Sequence, residues 1–128
     1  MEIQRLQEVV EGYHYDKKRK EQEELETKMD VKVAPLSNFE GKPDGASVLH
    51  TRLQFRLVFE EYVISGSVSQ VNFILNRQIT QQTDVNQEEI NELVLPLFDI
   101  VKRLTYEVTE IALDAPGLEL NFGPTRKN

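Results

Sequence analysis

The chain has 128 residues, no cysteine, no tryptophan and a formal net charge of −7. That length fits one domain, spanning residues 1–128, with a core that needs no covalent staples. The missing thiols exclude disulfides and thiolate metal sites and fit a cytoplasmic setting, while a pI of about 4.9 argues against nucleic acid and anionic membrane surfaces as partners.

The N-terminus, MEIQRLQEVVEGYHYD, is charged from the start and lacks the apolar centre of a signal peptide. No apolar run is long enough for membrane insertion. Within residues 2–15 the pattern is ambiguous. Ile3, Leu6, Val10 and Tyr13 sit at near-helical spacing, but Val9-Val10 and Tyr13-His14-Tyr15 favour a strand and Gly12 weakens a helix. Residues 16–28, DKKRKEQEELETK, are charged and read as a solvated connection, with a basic docking patch as the other reading.

Met29, Val31 and Val33 alternate with Asp30 and Lys32, which predicts a strand that Pro35 ends or places at a sheet edge. Residues 37–47 carry Gly41, Pro43, Asp44 and Gly45 and read as a loop. The clearest strand follows. Leu49, Thr51, Leu53, Phe55, Leu57 and Phe59 fall on one face, and His50, Arg52, Gln54, Arg56 and Glu60 on the other. Glu60-Glu61 mark a tight reversal into a second long strand, Tyr62 to Asn76. Its apolar positions change parity between Val68 and Val71, which requires either a β-bulge near Ser69-Gln70 or a shift of burial between faces.

After a polar connector, Asn86 with Glu89 forms a capping-box pattern. Pro96 lies too deep for one continuous helix, so the pattern predicts a short turn over 87–93 and a helix over 96–113 with Pro96 in its first turn. Pro116-Gly117 stop it, and Leu118, Leu120 and Phe122 alternate in an extended tail. At helical spacing Leu97, Ile100, Val101, Leu104, Val108, Ile111 and Ala112 form a stripe suited to cover a sheet. Leu95, Phe98 and Leu113 fall off it, which makes them candidates for an oligomer interface unless the tail folds over them.

Catalytic chemistry finds little here. His14 and His50 are the imidazoles available as bases, and His14 with Asp16 falls short of a metal ligand set. The glycines are scattered singly, with no phosphate-cradling loop. The expectation is a protein that is not an enzyme, with no cofactor and no metal.

The order of elements resembles the SecB export chaperone fold over nearly the whole chain. EIQRL at 2–6 resembles that family's first-strand opening, LPLF at 95–98 the start of its main helix, and PGLELNF at 116–122 the stretch that follows it. YHYD at 13–16 resembles the signature of a small family of uncharacterised bacterial proteins that share the SecB-like fold, and the chain is identified as a member of that family. The resemblance makes residues 2–14 the first strand. It implies an α+β fold: a four-stranded antiparallel Greek-key sheet, order 1-4-3-2, with one long helix on a face. It also implies a homodimer or dimer of dimers that binds unfolded polypeptide along hydrophobic grooves. Two SecB features do not match: the crossover between the first strands has no aromatic residue, and the sequence stops soon after Asn121-Phe122, before any further helix.

Two functions follow as expectations. One is a SecB-like holdase for unfolded chains, with Phe55, Phe59, Phe73, Leu118, Leu120 and Phe122 as candidate peptide contacts. For the strand residues among them, ordinary core is the alternative. The other is an adaptor that binds one folded partner.

Overall fold

The computed structural model describes residues 1–19 and 24–120. Its elements are β1 (Ile3–Arg5), β2 (Val9–Lys17), β3 (Lys28–Leu36), β4 (Ser47–Val58), β5 (Tyr62–Ile74), a 3-10 turn at Gln82–Asp84 and α1 (Gln87–Leu113). All strand pairings are antiparallel: β1 and β2 with β5, β5 with β4, and β4 with β3. β1 and β2 are thus one strand in two pieces along the same edge of β5. The sheet has the 1-4-3-2 order implied by the resemblance, and α1 packs on one face of it.

The alternation in β4 predicts its register correctly. Leu49, Leu53, Phe55 and Leu57 are buried, and Leu53 and Leu57 pair across β5 with Val68 and Ile64. Leu53, Phe55, Leu57, Val68 and Ile64 build the larger core cluster with Val94, Leu97 and Val101 of α1. A second cluster holds Val33, Leu49, Ile74, Ile79, Val85 and Leu93. Between them the sheet buries a polar row, Thr51, Gln70 and Asn72, in which Gln70 Nε2 donates to the Leu6 carbonyl at 2.7 Å.

The parity change in β5 is a shift of burial, not a bulge. Its register with β4 is unbroken from Ser47↔Ile74 to Val58↔Val63. Phe73 is buried on the face away from α1, where its ring meets Phe39 at 5.8 Å. The irregularities lie instead on the neighbouring strand, opposite Ser67–Asn72. One separates β1 from β2, and the other makes Glu11 an extra residue between Val10 and Gly12. Gly66 fits where β2 crowds β5. A Cβ there would sit 2.3 Å from the Gly12 carbonyl oxygen and 2.8 Å from the Phe55 ring.

At the hairpin between β4 and β5, Phe59 N donates to the Tyr62 carbonyl at 2.9 Å across Glu60-Glu61. Neither glutamate takes a positive φ, so the reversal manages without a primed turn. Pro35 lies inside β3 and is tolerated because β3 is an edge strand.

The helix departs from expectation. It is one helix of 27 residues, not a turn followed by a helix, and Pro96 lies inside it. Asn86 and Glu89 close the capping box as predicted. Pro96 has no N–H for the carbonyl one turn back, that of Glu92, and Arg5 Nη2 donates to that oxygen at 2.9 Å. A side chain from β1 thereby supplies the hydrogen bond that the proline removes.

The buried stripe also differs. Leu93, Val94, Leu97, Val101, Thr105 and Thr109 are buried, whereas Ile111 is 76% exposed and Ala112 is exposed. The second half of α1 meets the sheet through threonines rather than through Leu104, Val108 and Ile111.

Candidate functional site

The sheet-facing threonines organise the site. The bulge at Glu11 leaves both Val10 and Tyr13 paired with the α1-facing positions Val68 and Gly66 of β5. The Tyr13 hydroxyl shares a hydrogen bond with Thr105 Oγ1 at 2.9 Å, and its ring lies 6.1 Å from that of Phe55. Burial pushes the Tyr13 hydroxyl pKa above its ordinary value, and the bond to Thr105 partly offsets this. Tyr13 therefore stays neutral and fastens β2 to the helix.

Two apolar grooves open beside this contact. The first, of about 520 Å³, runs between the β1–β2 break and the helix. Val10, Ile100, Leu104 and Tyr106 give it apolar lining, and Glu8, Glu107 and Arg103 line it as well. The second, of about 430 Å³, lies at the end of the β4–β5 hairpin and is lined by Tyr15, Phe59, Tyr62 and Leu113. Its rings meet edge to face, at 5.1 Å for Tyr15–Tyr62 and 4.9 Å for Phe59–Tyr62. Desolvation raises the Tyr62 hydroxyl pKa, with a smaller push from Tyr15.

The side chains predicted to contact peptide do not come together as one surface. Phe59 lines the second groove. Phe55 is buried core beneath the helix, and Phe73 is buried on the opposite face of the sheet. Leu118 and Leu120 are half-buried, and Leu120 packs on the larger core cluster. Phe122 lies outside the described residues. Of the residues predicted at an oligomer interface, Leu95 and Leu113 are 54% and 50% exposed, whereas Phe98 is half-buried against the core.

Sequence reasoning missed Val10, Tyr15, Tyr62 and Tyr106 as groove residues, and assigned Ile100 and Leu104 to the sheet-covering stripe. One signal was available: in YHYD, Tyr13 and Tyr15 alternate onto one strand face. His14 and His50 are far apart along the sheet, opposite Ser65 and Val71 of β5. On the face away from α1, Glu11 accepts from Arg52 Nε and Nη2, both at 3.0 Å, from Ser67 Oγ at 2.6 Å and from Ser69 Oγ at 3.1 Å. Led by the Arg52 hydrogen bonds, these contacts lower its carboxyl pKa from 4.5 to about 2. Every donor is a neighbouring side chain of the sheet, so the group pins the bulge. Among the described residues no helix is long and apolar enough to cross a membrane.

Comparison with known proteins agrees with this architecture. The crystal structure of a protein of unknown function from Streptococcus agalactiae superposes with a TM-score of 0.86 at 43% identity, covering 95% of this chain and 98% of that one. A second similar structure is the Mycobacterium tuberculosis SecB-like chaperone Rv1957, in complex with a ChAD peptide from the Rv1956 HigA1 antitoxin. Its TM-score is 0.51 at 13% identity, covering 93% of this chain and 86% of that one, a likeness of fold alone. No curated protein sequence matches the chain. The family model described as Protein of unknown function (DUF1149) matches residues 1–122. The chain, with its α+β SecB-like fold, therefore belongs to the DUF1149 family.

Proposed function

We propose that the protein is a non-enzymatic, holdase-like binder of extended apolar segments in unfolded polypeptides. The observation that carries this reading is the pair of open grooves flanking α1, one largely aliphatic and one aromatic, each lined also by charged side chains of both signs. Grooves with these walls take apolar side chains from a segment without reading its sequence. The excess of negative charge on the chain favours basic or unfolded partners over nucleic acid. The peptide bound by the fold-related Rv1957 is consistent with such a use of the fold.

The test is aggregation of several unrelated denatured proteins, followed by light scattering, with this protein in several-fold excess. Suppression is expected, and Leu104→Ser together with Tyr62→Ser is expected to weaken it several-fold while the protein still melts cooperatively. Unchanged aggregation of every client would refute the reading. Capture of one folded partner at fixed stoichiometry would then favour the adaptor alternative, for which the exposed Leu95 and Leu113 offer a surface.

A further inference from the structure

α1 ends at Asp114, whose left-handed backbone (φ 52°, ψ 48°) turns the chain away from the helix axis. The following residues return along the helix. Gly117 lies so close to it that a Cβ would sit 2.4 Å from the Tyr106 carbonyl oxygen and 2.8 Å from Tyr106 ring atoms. One residue later, Leu118 N donates to Thr109 Oγ1 at 2.8 Å. Thr109 is fully buried, and its hydroxyl donates back to the Thr105 carbonyl at 2.7 Å, which leaves its lone pairs for the returning chain. Leu118 and Leu120 are half-buried and Glu119 between them is exposed. Leu120 rests on the core cluster against which Tyr15, Phe59 and Phe98 also pack.

These contacts are those expected of an extended apolar peptide on a binding protein: apolar side chains inward at alternate positions, a polar one outward and a backbone N–H held by a side-chain hydroxyl. The segment belongs to no strand of the sheet, so no ladder fixes it. We propose that residues 116–120 form a strap seated in a polypeptide-binding channel of this protein, and that extended segments with apolar residues at alternate positions bind there by displacing it. This rests on the proposed function and names the class of segment recognised, apolar–polar–apolar in extended form. It also gives Leu118 and Leu120 a different role from the one their sequence position implies: they are the resident occupant, not the wall. A tethered segment competes at an effective concentration of roughly millimolar, so the strap sets a threshold that only segments with several apolar anchors pass.

The two roles predict opposite signs. The probe is a fluorescently labelled peptide of residues 114–120, DAPGLEL, titrated against the full-length protein and read by anisotropy. Thr109 belongs to the channel wall, so Thr109→Val removes the same acceptor from the strap and from the probe and should leave their competition nearly unchanged. Gly117→Ala cannot keep the strap against the backbone of Tyr106 and should tighten probe binding several-fold. Leu120→Ser removes the strap's own anchor and should also tighten it. Weaker or unchanged binding in Gly117→Ala and Leu120→Ser variants that melt like the parent would overturn the proposal, because the segment would then be wall. So would absence of probe binding to every variant. Aggregation assays on the same variants separate this from the wider reading. A tighter probe with no protection of denatured clients would refute the holdase and leave the strap standing.

Discussion

Glu11 shows how one residue sets local geometry and a pH response. It is the extra residue of the β2 bulge, and four hydrogen bonds from Arg52, Ser67 and Ser69 hold its carboxylate. Its pKa falls from 4.5 to about 2 on folding. A carboxyl with a lowered folded pKa stabilises the protein above its unfolded value and loses that contribution as pH falls through the folded one. The window is therefore from about 4.5 down to about 2. The ion pair is partly open to water, with the two side chains 43% and 30% exposed, so screening reduces the effect to about 1 kcal/mol. Glu11→Gln should be less stable than the parent by about that amount at pH 7, and the gap should close as pH falls below the window. Thermal melts of both proteins from pH 7 to pH 2 check this. A gap that stays constant across the series would mean that shape, not charge, holds the bulge.

At the scale of elements, legibility followed the physics of each signal. β4 was readable because its alternation reports burial directly and its pairing with β5 is regular along its length. Leu53→Ala and Leu57→Ala should each cost about 2–5 kcal/mol in denaturant melts, since both side chains are buried between the sheet and α1. Two variants that melt like the parent would contradict the register. The first strand was ambiguous from its residues alone because two irregularities in its pairing with β5 break the period. The helix misled in two ways. Pro96 marks a helix start only if the carbonyl of Glu92 has no other donor, and the donor is Arg5, which is remote in sequence. The stripe was misplaced because periodicity reads apolarity rather than burial. Thr105 and Thr109 are buried through hydrogen bonds with Tyr13 and Leu118, and no apolar pattern announces such partners. The grooves were poorly legible for a related reason. They form where β2, the hairpin end and α1 converge, and Phe55 and Phe73, both plausible from sequence, face opposite sides of the sheet.

For the whole molecule the open question is what covers its outer apolar groups. The β3 edge is guarded by Lys28, Lys32 and Pro35, residues that discourage further strand pairing. The outer side of α1 is not guarded in this way. Leu95 and Leu113 lie eighteen positions apart, five turns at about 3.6 residues per turn, so they share one helix face although they sit near its two ends. Both are half exposed or more, whereas Phe98 is packed on the core. A homo-oligomer joined along this face would bury both leucines. We therefore expect light scattering to give a multiple of the 14.8 kDa chain mass at micromolar concentration. Phe98→Glu is a poor probe, because it would damage the core together with any interface. Leu95→Glu combined with Leu113→Glu is the informative variant. Each carboxylate would be buried unpaired at the interface, at a cost of several kcal/mol, but would remain hydrated on a monomer. The mass should fall toward that of one chain while the far-ultraviolet spectrum is unchanged. A parent protein that runs at 14.8 kDa throughout would end the oligomer reading. An oligomer that survives both glutamates would place the interface elsewhere, with the β2 edge and its exposed Val9 and Val10 next in line.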